Sequence, residues 1–161
     1  MIGSMLVSSK FRWVALSTLL WFSTTASSET LDGLVISVAD GDTLTLQVGD
    51  RRYRIRLSEI DTPERDQPWG DQAKSALVSK VERKLVRVTI LDTDQYGRKV
   101  GKVWLNGRDI NQELVSEGHA WVYERYLLDK TLLDDQDLAK SEKRGLWSSP
   151  EPIPPWRWRR R

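Results

Sequence analysis

Leu34-Val35-Ile36-Ser37-Val38 is a short apolar run that ends at the turn-prone Asp40-Gly41-Asp42. From Thr43 to Val48 apolar and polar residues alternate with period two. Gly49-Asp50 turns the chain, and Tyr53, Ile55 and Leu57 alternate again. A period of two belongs to a strand with one buried face, so these runs predict a three-stranded antiparallel meander. Ser58 to Gly70 is polar and holds Pro63 and Pro68, which cannot donate to a ladder; it reads as a loop.

Asp71 is placed to cap a helix whose Ala73, Ala76, Leu77 and Val81 share one face. Val86, Val88 and Ile90 predict a fourth strand. A polar turn from Asp92 to Gly97 leads to a fifth around Val100, Val103 and Leu105, closed by Asn106-Gly107. Asp109 caps a second helix with Ile110, Leu114 and Val115 inward and Gly118 as its stop. A third helix runs from about Leu127 to Arg144, with Leu128, Leu132, Leu138 and Ala139 as its apolar positions and Gly145 beyond its end. Its Asp134, Asp135 and Asp137 read as a solvated face.

Five short strands and three helices suit an α+β, mainly β chain: a five-stranded Greek-key barrel of the OB type. A generic α+β sandwich has the same periodicity. Pro150 to Arg161 holds four prolines and reads as an extended tail, its tryptophans docked on the barrel and its arginines in water.

The 161-residue length suits one compact domain. The absence of cysteine excludes disulfides, thiolate metal sites and a cysteine nucleophile. The single histidine, His119, argues against His-cluster zinc sites and Ser-His-Asp chemistry; following Gly118, it reads as a surface or capping residue. Residues 1–28 read as a signal peptide. Lys10 and Arg12 precede the apolar run Trp13–Phe22, which is shorter than the roughly 20 residues a bilayer span requires. Small residues follow, with cleavage expected after Ala26 or Ser28 and a secreted or periplasmic product; an uncleaved anchor is the alternative. That leaves residues 29–149 as the domain and 150–161 as the tail.

The chain has 25 Lys+Arg against 23 Asp+Glu. Loss of Lys10 and Arg12 with the leader would equalise the two, so net charge does not argue for a polyanionic partner. Anion attraction must come from local clusters: Arg51, Arg52, Arg54 and Arg56, and Arg157, Arg159, Arg160 and Arg161.

Three polar groups lie where strands end: Asp40-Gly41-Asp42-Thr43, then Arg56 ahead of Asp61-Thr62-Pro63-Glu64, then Asp94-Gln95-Tyr96-Gly97-Arg98. The first is an ordinary hairpin signal on its own. It is not an EF-hand loop, because Leu44 stands at the third ligand position. In a meander, Asp42 and Asp61 fall at comparable barrel edges, and two carboxylates held together repel unless a cation or a proton lies between them. Without His or Cys, oxygen donors favour Ca2+ or Mg2+. Arg56 and Arg98 offer forks that match a phosphate, and Glu64 is a carboxylate free to take a proton from water.

Together and in this order, the three motifs resemble the staphylococcal (micrococcal) nuclease, or thermonuclease, family from about Leu34 to Trp147. Gly145-Leu146-Trp147 and Pro154-Pro155-Trp156 are similar to its bacterial exported members. The resemblance implies an OB-fold enzyme that hydrolyses DNA and RNA with Ca2+ and leaves 3′-phosphate ends; a monomer is expected. It implies that Asp42 and Asp61 ligate calcium through carboxylates and Thr62 through its carbonyl, with Asp40 acting through water. Glu64 corresponds to the general base, Arg56 and Arg98 to the phosphate-binding arginines, and Tyr96 to a nucleotide contact. Gln95 stands where the staphylococcal enzyme has a lysine, so no phosphate contact is carried to it. Tyr123 and Tyr126 have no matching partners and are assigned to packing. Nucleic acid is the expected partner, and no stable protein partner is expected. A nuclease-like module that binds nucleic acid without cutting, or a calcium-stabilised structural domain, are the competing readings.

Overall fold

The computed structural model describes residues 29–161; the expected signal peptide, residues 1–28, lies outside the described residues. Strands β1 (Thr30–Val38), β2 (Thr43–Val48) and β3 (Arg51–Leu57) form the expected meander. Helix α1 (Gly70–Val81) crosses to β4 (Leu85–Thr93), which pairs antiparallel with both β1 and β5 (Lys99–Leu105). A parallel seam between β3 and β5, with Ile55 opposite Lys99 and Arg56 opposite Val100, closes the five strands into a mixed barrel. This is the OB arrangement, and the closure rules out the open sandwich.

Two irregularities bend the strands around it. Ile36 in β1 and Leu91 in β4 are each an extra residue against the partner strand, since the register slips between Val35 and Ser37 and between Ile90 and Asp92. The alternating residues Val35, Leu44, Leu46, Ile55, Leu57, Val88 and Val103 fill the interior with at most 1% exposure. Helix α2 (Ile110–Ser116) lays Ile110, Leu114 and Val115 onto this core, and Asp109 caps it as expected by accepting from the Gln112 amide.

Several local expectations are corrected. Helix α1 starts one residue before Asp71: Trp69 stands at its N-cap with φ 75°, and Asp71 sits in the first turn, where an acid suits the helix dipole. Helix α3 (Thr131–Ser141) is shorter than expected: Leu127 is extended, with φ −72° and ψ 124°, and Lys143 turns left-handed, with φ 54°. Leu128 and Leu138 are exposed, whereas Gln136 is buried and its Oε1 accepts from the Val122 amide at 2.9 Å. The tail is not extended throughout. Proline at the first helical position starts a short turn, α4 (Pro155–Trp158). Its tryptophans dock and its arginines are exposed as expected, but Arg159 is also paired with two carboxylates.

Candidate active site

The first wall of the site is the turn between β1 and β2. The Asp42 amide donates to Asp40 Oδ1 at 3.1 Å, tightening the loop, while Asp42 Oδ2 accepts from the Thr62 amide and hydroxyl, both at 2.8 Å. This approach requires glycine beside it: a Cβ on Gly41 would lie 2.7 Å from Thr62 Oγ1 and 2.9 Å from the Ala73 Cβ. Thr43 faces Arg56 across the β2–β3 ladder, which brings that arginine to Asp42.

Asp61 arrives from β3 through a two-residue strand, Ile60–Asp61, that pairs antiparallel with Trp121–Val122. Arg56 joins the two acids: Nη1 lies 2.9 Å from Asp42 Oδ2 and Nη2 lies 2.8 Å from Asp61 Oδ1. Both carboxylates are almost fully buried, at 6% and 1% exposure. Glu64 follows on the same loop, and its amide donates to Gln67 Oε1 at 3.1 Å. It lines an open cleft of about 450 Å³ with Asp40, Arg65 and Asp66.

The charge density shows in the acids' proton affinities. Burial first, and the neighbouring Asp42 charge second, push Asp40 up to about 6. Burial also raises Asp61, against the opposing pull of Arg159 and Arg56. Crowded carboxylate oxygens of this kind are the donor set of a hard divalent cation, and neither a thiolate nor an imidazole competes. Among the described residues no three ligating side chains form a finished cage. Asp42 and Asp61 therefore fit such an ion as two protein ligands, with the rest of its shell from backbone or water.

Arg98 stands immediately before β5. Because Arg56 faces Val100 in the seam, alternation puts Arg98, two residues earlier, on the face that carries Arg56. Its Nε donates to Asp94 Oδ2 at 2.7 Å, and Asp94 Oδ1 accepts from the amides of Tyr96 and Arg98. Burial opposes ionisation of Asp94, but these bonds outweigh it and hold its carboxyl below the usual range. Tyr96 is 75% exposed beside the Arg98 guanidinium, 5.6 Å from ring centroid to Cζ. Asp40, Asp42, Arg56, Asp61, Thr62 and Glu64 thus form one cluster, with Arg98 and Tyr96 on the neighbouring turn.

The sequence reading missed the groups that support this cluster. Buried Glu59, in the left-handed region with φ 64°, accepts from the Leu128 and Asp129 amides at 2.7 and 2.6 Å and pairs with Lys102 at 3.3 Å. Asn111 accepts from the Val103 amide and donates to the carbonyls of Ser58 and Gly101, pinning the loop that leads to Asp61. His119 is neither a surface nor a capping residue: it is partly buried, its Nδ1 accepts from the Trp69 indole at 3.2 Å, and burial lowers its proton affinity. Tyr123 is a packing residue, stacked on Trp156 with ring centroids 5.3 Å apart.

Residues 54–149 match the family model described as staphylococcal nuclease homologue. A protein of Escherichia coli named as an uncharacterized endonuclease is 43% identical over 132 residues, which cover 81% of this chain and 86% of that protein. One of the same name from Haemophilus influenzae is 39% identical over 127 residues, 78% of this chain and 71% of its own. A probable staphylococcal-like nuclease of Oryza sativa is 37% identical over 126 residues, 78% of this chain and 32% of that longer protein.

Proposed function

The chain belongs to the staphylococcal nuclease family and is a hydrolase of the micrococcal nuclease type, and from that premise we propose that it is an exported, Ca2+-dependent enzyme that cleaves DNA and RNA with little sequence preference and leaves 3′-phosphate ends. The observation that carries this reading is the convergence of Asp42, Asp61 and Arg56 within 2.9 Å, with Glu64 beside them on the cleft.

A phosphodiester is anionic and repels hydroxide until its charge is offset. Calcium, when bound, supplies a doubly charged Lewis acid at the phosphoryl oxygens. Asp42 and Asp61 would hold it through carboxylates and Thr62 through its carbonyl, with Asp40 acting through water. Arg56 binds a non-bridging oxygen, and its hold tightens as charge builds in the five-coordinate transition state; removing one such donor costs about 10²–10³ in rate. Arg98 offers a second fork from the neighbouring turn. Glu64 accepts the proton of the attacking water, a contribution of roughly 10²–10⁴. The new bond forms between that water oxygen and phosphorus, and the bond to the 5′-oxygen breaks, the leaving oxygen taking a proton from solvent to become the 5′-hydroxyl. Tyr96, exposed beside Arg98, is placed to touch the nucleotide. Export rests on the composition of residues 1–28.

The test is digestion of single-stranded DNA and RNA by the purified protein with Ca2+ and then with excess chelator. Cutting is expected only with calcium, and Glu64→Gln is expected to bind oligonucleotide but turn it over far more slowly. Cutting in chelator would remove the metal from the mechanism, and equal rates for variant and parent would remove Glu64 as base. Binding without any cutting would instead favour a non-catalytic module. The N-terminal residue of the protein recovered from outside the cytoplasm checks export.

A further inference from the structure

The C-terminal arm carries a third guanidinium into the cluster. Arg159 Nη2 lies 2.8 Å from Asp61 Oδ2, and its Nη1 donates to Glu64 Oε1 at 2.5 Å. Burial works against the charge of Arg159, but its bonds to Asp61 and Glu64 prevail, so the guanidinium stays protonated. We propose that Arg159 is a positioning residue for the nuclease reaction, one fork that sets Glu64 against Asp61. This inference rests on Glu64 being the base.

Glu64 needs such a partner. Its side chain is 36% exposed on a loop, and Arg159 is the one described side chain that bonds its carboxylate. The clamp takes one oxygen of Glu64 and, from Asp61, Oδ2 closely with a longer 3.4 Å contact from Nη1 to Oδ1. Arg56 holds Asp61 Oδ1 more closely, at 2.8 Å, and Glu64 keeps Oε2 for a water in the cleft. A freely rotating carboxylate would leave the in-line position much of the time, and misplacement by about 1 Å can cost 10²-fold in rate.

The arm is built to deliver this one arginine. Gln67 Nε2 donates to the Ile153 carbonyl at 2.6 Å, and the Trp158 indole donates to Asp66 Oδ1 at 3.3 Å. Trp156 stacks on Tyr123 and meets Trp121 edge-on at 5.7 Å. Pro154 and Pro155 restrict the approach before the α4 turn. Residues three apart on a helical turn are neighbours, so docking Trp156 points Arg159 at the same surface. Arg157, Arg160 and Arg161 remain exposed.

The experiment compares the full chain with Arg159→Ala, Arg159→Lys, Glu64→Gln, the Arg159→Ala/Glu64→Gln double variant and a truncation after residue 149, each checked for fold by circular dichroism. Arg159→Ala and the truncation should lose about 10–100-fold in kcat with KM changed less than about threefold, the scale at which supporting residues act. Lysine, a point charge that cannot span two carboxylates in one plane, should restore only part. In the Glu64→Gln background the alanine change should add almost nothing. Without calcium or substrate, nitrogen-15 NMR should show a slowly exchanging Arg159 guanidinium in the parent that is lost in Glu64→Gln. An unchanged or raised kcat in Arg159→Ala overturns the proposal. So does a loss confined to KM, which would make Arg159 a phosphate contact, or full additivity in the double variant. If Glu64→Gln cuts at the parent rate, the base assignment falls instead, and the NMR signal still reports whether the clamp exists.

Discussion

The guanidinium of Arg56 spans the carboxylates of Asp42 and Asp61, contributing one nitrogen to each. The two acids come from the first turn of the meander and from just beyond its last strand, so this arginine serves the fold as well as the chemistry. Arg56→Met should leave two buried carboxylates with too little compensation and destabilise the protein by about 3 kcal/mol, the usual cost of breaking a buried ion pair from one side. Calcium should recover part of that loss while activity stays low. Urea unfolding with and without Ca2+ measures both. A variant as stable as the parent in chelator would mean that the acids are protonated or paired without Arg56.

Asp40 gives a pH signature. Its carboxyl is pushed up to about 6 in the folded chain against 3.8 as the ordinary value. Between those limits the folded state holds a proton that the unfolded state has lost, so stability falls as pH rises from about 4 to 6 and stays lower above that window. After discounting for solvent screening, the effect should be about 1 kcal/mol. Asp40→Asn keeps the oxygen that accepts from the Asp42 amide and should flatten this slope in chelator. Urea midpoints at pH 4.5 and 7 test it, and an identical slope in both proteins excludes Asp40 as its source.

Asn111 holds three backbone groups that no other side chain reaches. Asn111→Ala should cost about 2 kcal/mol, because the Val103 amide and the Ser58 carbonyl lose this buried partner while the Gly101 carbonyl keeps the Ser58 amide. The Ser58 carbonyl belongs to the loop that leads to Asp61, so calcium affinity should fall as well. Thermal unfolding and calcium titration together check the coupling; a stability loss with unchanged calcium affinity would break it.

Asp94 aims Arg98. Their ion pair is about a quarter exposed, so Asp94→Asn should change stability by less than about 1 kcal/mol. Its effect should appear in kcat/KM, lowered roughly tenfold as the Arg98 fork loses its fixed direction. Steady-state kinetics on a short single-stranded oligonucleotide reads this. A kcat/KM equal to the parent's would show that Arg98 finds phosphate without Asp94.

The barrel strands and the Asp109 cap were legible because each depends on neighbours in sequence: alternation writes a buried face into consecutive residues, and a cap needs only the next three. The motif groups around Asp42, Asp61 and Arg98 were legible for a similar reason, each being a short turn at a strand end. Glu59, Asn111 and Arg159 were not. Glu59 meets the amides of Leu128 and Asp129, Asn111 meets Ser58, and Arg159 meets Glu64, so their partners are remote and no local period marks them. The start of α1 was hidden because Trp69 adopts a left-handed backbone that its residue type does not announce. Gln136 was hidden because a polar residue turned inward to serve the Val122 amide reads like a solvated one.

The β3–β5 seam has a consequence for the order in which the site is assembled. It joins segments on either side of α1 and β4, so its contacts are distant along the chain and form late in folding. Arg56 lies within that seam, opposite Val100. A nascent chain that has not yet extruded β5 already carries both aspartates and the glutamate, but it lacks the wall that fixes the arginine between them. The pocket around the arginine is therefore complete only when the last barrel strand has joined the first hairpin's neighbour.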